Sequence, residues 1–227
     1  MAPLALPRPD AAIFDFDGVI VDTEPLHFAA FRTVLEPLGI GLAWPEYVGD
    51  YMGFDDRDAF SGIFRARGAA LDGARLARLV AAKSEVFLAA VRDGVRPYPG
   101  AVELIDSLHA SGLPLAISSG ALRSDIAPIL DRLGIARCFS HVVSADDVPR
   151  SKPDPACYAL AFDRLLRTHP ARLSTPGRCL AVEDTPAGIR SAKGAGLKVL
   201  AVTNSHGASD LAGADHVAAS LADVRID

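Results

Sequence analysis

Short apolar runs alternate with stretches of helical periodicity along most of the chain. The runs end at Gly, Pro, Ser or Asp, and runs bounded in this way are typical of buried strands. The stretches between them carry apolar residues three and four positions apart, which predicts amphipathic helices. The predicted strands are the run that opens at Ala11, followed by 113–119, 141–144, 178–182 and 199–203, with Val217 as a candidate for a last one.

This alternation predicts the fold class, which we expect to be α/β with a doubly wound parallel sheet. Helices should cover both faces of the sheet, and the crossovers should be right-handed. In such sheets, ligands bind beyond the carboxyl ends of the strands, at the point where the strand order reverses. We therefore expect the functional residues to follow directly after the apolar runs.

A long stretch from Leu26 to Asp93 breaks the alternation, because it has helical periodicity and no strand signals. Linker-like segments that contain proline bound it at 21–25 and 94–99. Within the stretch, the segment from Trp44 to Gly53 is mixed in character and is expected to be irregular. We interpret the whole stretch as an all-helical module inserted into the α/β fold.

Composition and charge narrow the range of partners. The chain has 227 residues, of which 50% are hydrophobic and 22% are charged, as is ordinary for a globular protein with a real core. The formal net charge is −5 and no basic run is present, so nucleic acid is not an expected partner. An anionic substrate would have to be held by local cations and a metal ion. We expect a monomer or small homo-oligomer that acts on a small molecule.

The three cysteines, Cys138, Cys157 and Cys179, are far apart and odd in number, so they suggest neither a disulfide framework nor a zinc site. Reduced thiols favour a cytoplasmic protein. The first ten residues contain three prolines and lack a signal-peptide pattern. No stretch has the length and apolar character of a membrane span, so we expect no membrane partner.

Two aspartates, Asp15 and Asp17, close the first predicted strand. Their side chains would share one face of that strand, where like charges repel unless a cation lies between them. Oxygen ligands suit Mg²⁺, and such an ion leaves coordination positions for a phosphate. The alternative is a strand end with two solvated acids before a turn. We favour the metal site, because Asp is depleted in strands.

Further polar residues follow later strands: Ser118 and Ser119, then Lys152, then Glu183 and Asp184. Taken singly, the serines could form a turn, the lysine could be solvated in a loop, and the acids could cap a helix. Taken together, the carboxylates would bind Mg²⁺, a hydroxyl and a backbone N–H would hold phosphate oxygens, and the lysine would neutralise charge. These are the parts that phosphoryl transfer requires.

Four motifs in this order resemble those of the haloacid dehalogenase superfamily, in its branch of phosphatases and β-phosphoglucomutase-like proteins. The motifs are Asp15-Phe16-Asp17-Gly18-Val19, Ser118-Ser119, Lys152-Pro153 and Glu183-Asp184. The resemblance covers nearly the whole chain and implies a helical cap domain inserted after the first strand. We therefore expect a catalytic core at 1–22 and 96–227 and a cap at 23–95.

The resemblance implies a role for each acidic residue. Asp15 would be the nucleophile that forms an aspartyl-phosphate, and Asp17 would be the general acid and base. Asp15, the backbone carbonyl of Asp17, and Asp184 would bind Mg²⁺, and Glu183 would ligate it directly or through water. An acid at Asp17 favours phosphoryl transfer over dehalogenation, because the dehalogenating members differ at that position.

The remaining implied roles concern the phosphate. Ser118 and the backbone N–H of Ser119 would bind the phosphoryl group. Lys152 would pair with both Asp15 and the phosphate, and so take part in catalysis.

Two residues of the helical module each allow two interpretations. His27 closes the segment Asp22-Thr23-Glu24-Pro25-Leu26-His27, which is similar to the cap hinge of β-phosphoglucomutase, where it would help bind substrate and couple closure to acid–base chemistry. Alternatively, it lies on the wet side of a helix. Lys83 falls on an apolar stripe, either with its ammonium group reaching water at the core edge or pointing into a cleft.

The sugar phosphomutases of the family carry an arginine three residues after a cap glycine, where it grips a second phosphate. Here Arg57 lies four residues after Gly53, and Asp56 stands in the expected place. We therefore expect a Mg²⁺-dependent phosphoric monoester hydrolase that acts on a sugar phosphate or a phosphoglycolate-like metabolite. The alternatives are a β-phosphoglucomutase-like mutase and, less favoured, a catalytically silent binding module on the same fold.

Overall fold

A computed structural model of the chain describes residues 3–52 and 54–226. Its strands form a six-stranded parallel sheet in the order β4-β3-β2-β5-β6-β7 and a small parallel pair, β1 with β8. The strands are β1 (Leu4–Leu6), β2 (Ala11–Phe14), β3 (Leu115–Ser118), β4 (His141–Val143), β5 (Cys179–Glu183), β6 (Lys198–Val202), β7 (His216–Ala218) and β8 (Val224–Ile226).

The helices fall into two groups along the chain. Four of them follow β2 without an intervening strand, and the others alternate with the strands of the sheet. They are α1 (Glu24–Leu35), α2 (Trp44–Asp50), α3 (Asp56–Ala66), α4 (Gly73–Asp93), α5 (Ala101–Ala110), α6 (Arg123–Leu133), α7 (Ala156–Thr168) and α8 (Pro186–Gly194). The α/β class with an inserted all-helical cap is confirmed.

The central strand β2 shows why the sheet is covered on both faces. Its side chains alternate, so that Ala12 and Phe14 pack into one apolar cluster and Ala11 and Ile13 pack into another. The first cluster contains residues of α5 and α6, and the second contains residues of α7 and α8. The strand order reverses between β2 and β5, which places a binding crevice beyond their carboxyl ends.

The cap helices α1 to α4 share an apolar cluster of their own, which includes Phe31, Tyr47, Phe60, Phe64 and Leu79. The expectation of an irregular segment from Trp44 to Gly53 is wrong, because Trp44–Asp50 forms α2. That helix has only seven residues, with a proline in its first turn, and is too short to show helical periodicity in the sequence.

Several other expectations bear on the whole chain. The exact domain limits at 22–23 and 95–96 stay a prediction, and residues 1, 2, 53 and 227 lie outside the described part. The three cysteines are free and buried. Among the helices described, none combines the length and the apolar character needed to cross a membrane.

Candidate active site

The predicted acidic residues converge at the point where the strand order reverses. Asp15 directly follows β2, Glu183 ends β5 and Asp184 comes next, and each has a carboxylate oxygen within 4.8 Å of the others. The backbone N–H of Asp15 donates to the Val182 carbonyl at 2.9 Å. The hydrogen bonds between β2 and β5 therefore hold Asp15 beside Glu183 at the end of β5. The buried acidic cluster could hold a metal ion.

Lys152 supplies a positive charge to this cluster. Its Nζ lies 2.8 Å from Asp15 Oδ1 and 2.7 Å from Glu183 Oε1. Burial alone would lower the pKa of Lys152, but the two carboxylates raise it above its usual value. The lysine is therefore charged, and its predicted pairing with Asp15 is present.

Glu183 is surrounded by donors from its own side of the sheet. Besides Lys152, its carboxylate accepts from the Tyr158 hydroxyl at 2.8 Å and from the backbone N–H groups of Asp184 and Thr185 at 3.1 and 3.3 Å. Burial raises the pKa of Glu183, but the attraction of Lys152 and these hydrogen bonds lower it overall. Both oxygens have protein donors, which favours contact with a metal through water over direct ligation.

Asp184 has the free coordinating oxygen that a metal site needs. Its Oδ1 is buried with no hydrogen-bond partner in the described part of the chain, while its Oδ2 accepts from the Ser205 hydroxyl. Burial raises the pKa of Asp184 well above its usual value, and the charges of Glu183 and Asp15 raise it further. Burial and the charge of Glu183 also raise the pKa of Asp15 well above its usual value. Buried carboxylates that repel one another in this way fit a hard divalent cation, because the cation would relieve their repulsion.

The loop after β3 lies at the phosphate end of the site. Ser118 Oγ, at the end of β3, is buried and has no hydrogen-bond partner among the described residues. The prediction for the Ser119 N–H is wrong, because this group donates to the Val143 carbonyl at 2.9 Å. The Ser119 N–H is therefore part of the hydrogen bonding of the sheet. In this loop, the residues that line the cavity are Gly120 and Ala121.

Asp17 points towards the cap and is held by residues of α1 and the turn before it. Its Oδ1 accepts from the Thr23 hydroxyl and lies 3.3 Å from His27 Nε2. Burial raises the pKa of Asp17, but His27 and Thr23 lower it overall. Thr23 precedes α1 without capping it, so its hydroxyl serves the site.

His27 and Lys83 form a buried connection from Asp17 into the cap. Lys83 Nζ lies 2.5 Å from His27 Nδ1, and since an ammonium group can only donate, Nδ1 accepts and Nε2 carries the proton that faces Asp17. His27 also stacks on Phe87 at 4.1 Å. The placement of His27 on the wet side of a helix is therefore wrong.

Lys83 is completely buried, so the interpretation in which its ammonium group reaches water is wrong. The ammonium group pairs with Asp56 Oδ1 at 2.8 Å and lies 5.1 Å from the ring centres of Phe31 and Phe87. A buried ammonium group needs such partners, because its desolvation is costly.

Glu24 and Tyr47 form a hydrogen-bonded pair on the cap side of the site, and the sequence did not identify either as a site residue. The Tyr47 hydroxyl donates to Glu24 Oε2 at 2.5 Å, and both side chains are buried. Burial raises the pKa of Glu24, and burial together with Glu24 raises that of Tyr47 well above its usual value. Glu24 lies inside the segment that ends at His27, which was a usable signal. Tyr47 lies in α2, which the sequence pattern did not predict, so the sequence contained no signal for it.

A cavity of about 40 Å³ joins the core and the cap. Its core side is formed by Asp15, Asp17, Gly120, Ala121, Lys152 and Thr185. Its cap side is formed by Glu24, His27, Phe31, Tyr47, Phe54 and Asp56.

Arg57 does not line this cavity among the described residues. Its Nη2 donates to Asp55 Oδ2 and to the Ala145 carbonyl, both at 2.9 Å, and to the Val148 carbonyl at 3.4 Å. The guanidinium group thus lies against the turn between β4 and Lys152. The glycine of the expected motif, Gly53, lies outside the described residues.

Comparisons with known proteins agree with this arrangement. The family model described as haloacid dehalogenase-like hydrolase matches residues 12–202. The chain is 32% identical to the fructose-1-phosphate phosphatase YqaB of Escherichia coli over 190 residues, which are 84% of this chain and 94% of that protein. It is also 32% identical to a phosphoglycolate phosphatase of Pseudomonas fluorescens over 202 residues, 86% of this chain and 70% of that protein.

The fold is shared with a solved structure of the same group. The crystal structure of a β-phosphoglucomutase from Clostridium difficile superposes with a TM-score of 0.84 at 21% identity, covering 96% of this chain and 93% of that chain. The family match and the curated relatives show that the chain belongs to the haloacid dehalogenase-like hydrolases, in their phosphatase branch.

Proposed function

We propose that this hydrolase is a Mg²⁺-dependent phosphatase that acts on a small phosphorylated metabolite of the sugar phosphate or phosphoglycolate type. It shares the class of phosphoric monoester hydrolase with its relatives that are named phosphatases. The observation that carries the proposal is the cavity in which Asp15, Lys152 and Asp17 meet. A nucleophile, a cation and an acid–base group thus line one cavity.

In the first half of the reaction, an Asp15 oxygen attacks phosphorus and the bond from phosphorus to the leaving oxygen breaks, which forms an aspartyl-phosphate. Lys152 favours the ionised form of Asp15, against the opposing effects of burial and Glu183, and pairs with the incoming phosphoryl charge. Asp17 protonates the leaving oxygen, and the Ser118 hydroxyl donates to the phosphoryl group.

In the second half, the ionised Asp17 takes a proton from water, and the water oxygen attacks phosphorus. The bond from phosphorus to Asp15 then breaks, which releases phosphate and restores the carboxylate. The contacts of Asp17 with Thr23 and His27 hold its carboxylate in place for both proton transfers.

The acidic cluster fits the metal that this proposal requires. Asp15, Asp184 and the backbone carbonyl of Asp17 would hold Mg²⁺, with Glu183 reaching it through water. Bound there, Mg²⁺ would neutralise charge on the oxygens of the transferring group.

A phosphatase fits better than a mutase, because Arg57 is engaged with the backbone of the core and does not reach the cavity. The two activities differ in whether water or a sugar hydroxyl takes the phosphoryl group from Asp15. Incubation with β-glucose 1-phosphate separates them, since a mutase yields glucose 6-phosphate and a phosphatase yields free phosphate.

The experiment that tests the proposal is a panel of phosphorylated metabolites, with and without Mg²⁺, scored by released phosphate. We expect release that depends on Mg²⁺ and is abolished by Asp15→Asn, with the fold of the variant checked by circular dichroism. Release by Asp15→Asn at the wild-type rate would show that Asp15 is not the nucleophile. A wild-type protein that hydrolyses nothing in the panel would favour the silent binding module.

A further inference from the structure

We propose that Asp56 makes the cavity selective for substrates whose leaving group is neutral and hydroxylated, and that it excludes a leaving group with a second anionic group. The inference rests on the proposed phosphatase activity and narrows its substrate to monophosphates of polyols, including sugars. It excludes phosphorylated acids and bisphosphates as good substrates.

Asp56 has a free acceptor oxygen at the cap side of the cavity. Its Oδ1 accepts from Lys83, whereas its Oδ2 is buried and has no hydrogen-bond partner among the residues that the structure describes. The side chain is 12% exposed and lines the same cavity as Asp15 and Asp17. A buried carboxylate oxygen without a donor is costly, and a substrate hydroxyl would satisfy it.

Among the described residues of the cap side, Lys83 and Arg57 are the candidates for holding a second anion, and neither faces the cavity. Lys83 is fully buried between the rings of Phe31 and Phe87, beyond Asp56, and is absent from the described lining. Arg57 is directed to the Ala145 carbonyl. Among the described lining residues, the only Lys or Arg side chain is Lys152, which belongs to the phosphate end and already faces two carboxylates.

The other polar residues on the cap side also favour a neutral, hydroxylated leaving group. Glu24 offers carboxylate oxygens, and Tyr47 offers a hydroxyl that is donated to Glu24. A polyol can donate to these acceptors, whereas an anionic group can only accept and would face the acids Glu24 and Asp56 across the cavity. Like charges that meet away from water are disfavoured far more strongly than in solution.

Two pairs of substrates that differ in the charge of the leaving group test the inference, and the members of the first pair are also nearly equal in size. The first pair is 2-hydroxyethyl phosphate and 2-phosphoglycolate, in which a hydroxymethyl group replaces a carboxylate. The second is fructose 1-phosphate and fructose 1,6-bisphosphate. For the wild-type enzyme with Mg²⁺, we expect kcat/KM to be at least about tenfold higher for the neutral member of each pair.

The variant Asp56→Asn should lower that preference by about tenfold, because it removes the charge and keeps the size of the side chain. It also leaves Lys83 unpaired, so the double variant with Asp56→Asn and Lys83→Met repeats the measurement with both charges removed. The matched control is Asp50→Asn, which makes the same charge change at an exposed position of α2 and should keep the wild-type preference.

The outcomes separate the two proposals. If the wild-type protein with Mg²⁺ hydrolyses no member of either pair and does not hydrolyse p-nitrophenyl phosphate, the phosphatase proposal is wrong, and so is the inference that rests on it. If it hydrolyses phosphate esters but prefers the anionic members, or shows no preference, only the inference is overturned. A preference that persists unchanged in both Asp56 variants also overturns it.

Discussion

At the scale of single residues, Gly18 leaves no room for a side chain beside Asp184. Its φ is +78°, and a Cβ atom added there would lie 1.9 Å from Asp184 Oδ2. We expect Gly18→Ala to displace this carboxylate and to reduce kcat/KM by at least about a hundredfold, because a shift of about 1 Å in a catalytic group has that effect. The required Mg²⁺ concentration should also rise, which a titration of phosphate release against Mg²⁺ measures.

The control for this substitution is Gly39→Ala. Gly39 has nearly the same φ, +71°, and nothing lies within 4 Å of an added Cβ atom. Both variants bear the backbone strain of about 1–2 kcal/mol, but only the one at Gly18 should lose activity. Equal activity in the two variants would mean that the position of Asp184 does not matter.

Most of the residues that the sequence identified lie next to a strand end. Asp15 and Asp184 could be predicted because each follows an apolar run and a parallel sheet brings such ends together, and Lys152 lies in the loop that follows β4. Tyr47 and Ser205 could not, because each is an ordinary polar residue until the fold turns it towards Glu24 or Asp184. The hydrogen bond from the Ser119 N–H to the Val143 carbonyl depends on the register of β3 and β4, which the sequence does not reveal.

At the scale of elements, the carboxylate of Asp147 joins the turn Ala145–Asp147 to the residues around it. Asp147 accepts from the backbone N–H of Ser144 at 2.9 Å and from the guanidinium groups of Arg123 and Arg164, both at 2.7 Å. Burial raises the pKa of Asp147, but these donors lower it overall, from 3.8 to about 2. The turn supports the segment that carries Lys152 and receives the Arg57 contact from α3.

A depressed pKa stabilises the fold at pH values where the carboxylate is ionised in both states. The stabilisation by Asp147 is therefore complete well above 3.8 and is lost as the pH falls towards about 2. We expect Asp147→Asn to lower the free energy of unfolding by about 1–2 kcal/mol at pH 7, after allowance for solvent screening. Urea unfolding should show the difference shrinking as the pH is lowered through about 4.

Asp131→Asn is the control, because it removes a carboxylate from an exposed position of α6. It should change the free energy of unfolding by less than about 0.5 kcal/mol at every pH. If Asp147→Asn destabilised the protein equally at neutral and at acid pH, the effect would come from lost packing and not from ionisation.

Element prediction succeeded where an element was long or strongly apolar. The buried strands β2, β3 and β5 and the long helix α4 were visible in the sequence for this reason. The pair of β1 with β8 was missed, because Leu4–Leu6 and Val224–Ile226 are short and pair across the whole length of the chain.

At the scale of the whole molecule, the site exists only because the cap lies against the core. The cap presents Glu24, His27 and Asp56 to residues that follow the strands, and Arg57 and Ser84 hold the two parts together through Ala145 and Asp125. The pattern of the sequence predicts that there is a helical insert. It does not reveal which face of the insert meets the sheet, because that depends on contacts between residues up to about a hundred positions apart.

The same convergence leaves the interior with more negative than positive charge. Asp15, Glu183 and Asp184 are buried together with Lys152 as the one cation in contact with them among the described residues. A divalent cation bound there would stabilise only the folded state, by about 2.7 kcal/mol at a hundred times its dissociation constant. For a chain of this size, that corresponds to a rise in Tm of about 5–10 °C.

We therefore expect Mg²⁺ to raise the Tm of the wild-type protein, measured by differential scanning fluorimetry against NaCl of equal ionic strength. Asp184→Asn should lose most of this rise, because it removes a charge and a coordinating oxygen, and its metal-free form should be no less stable than the wild type. Asp50→Asn, which changes the charge far from the cluster, should keep the full rise. An equal rise in Asp184→Asn and in the wild type would place the ion elsewhere, because a cation held by Asp184 cannot bind both proteins equally.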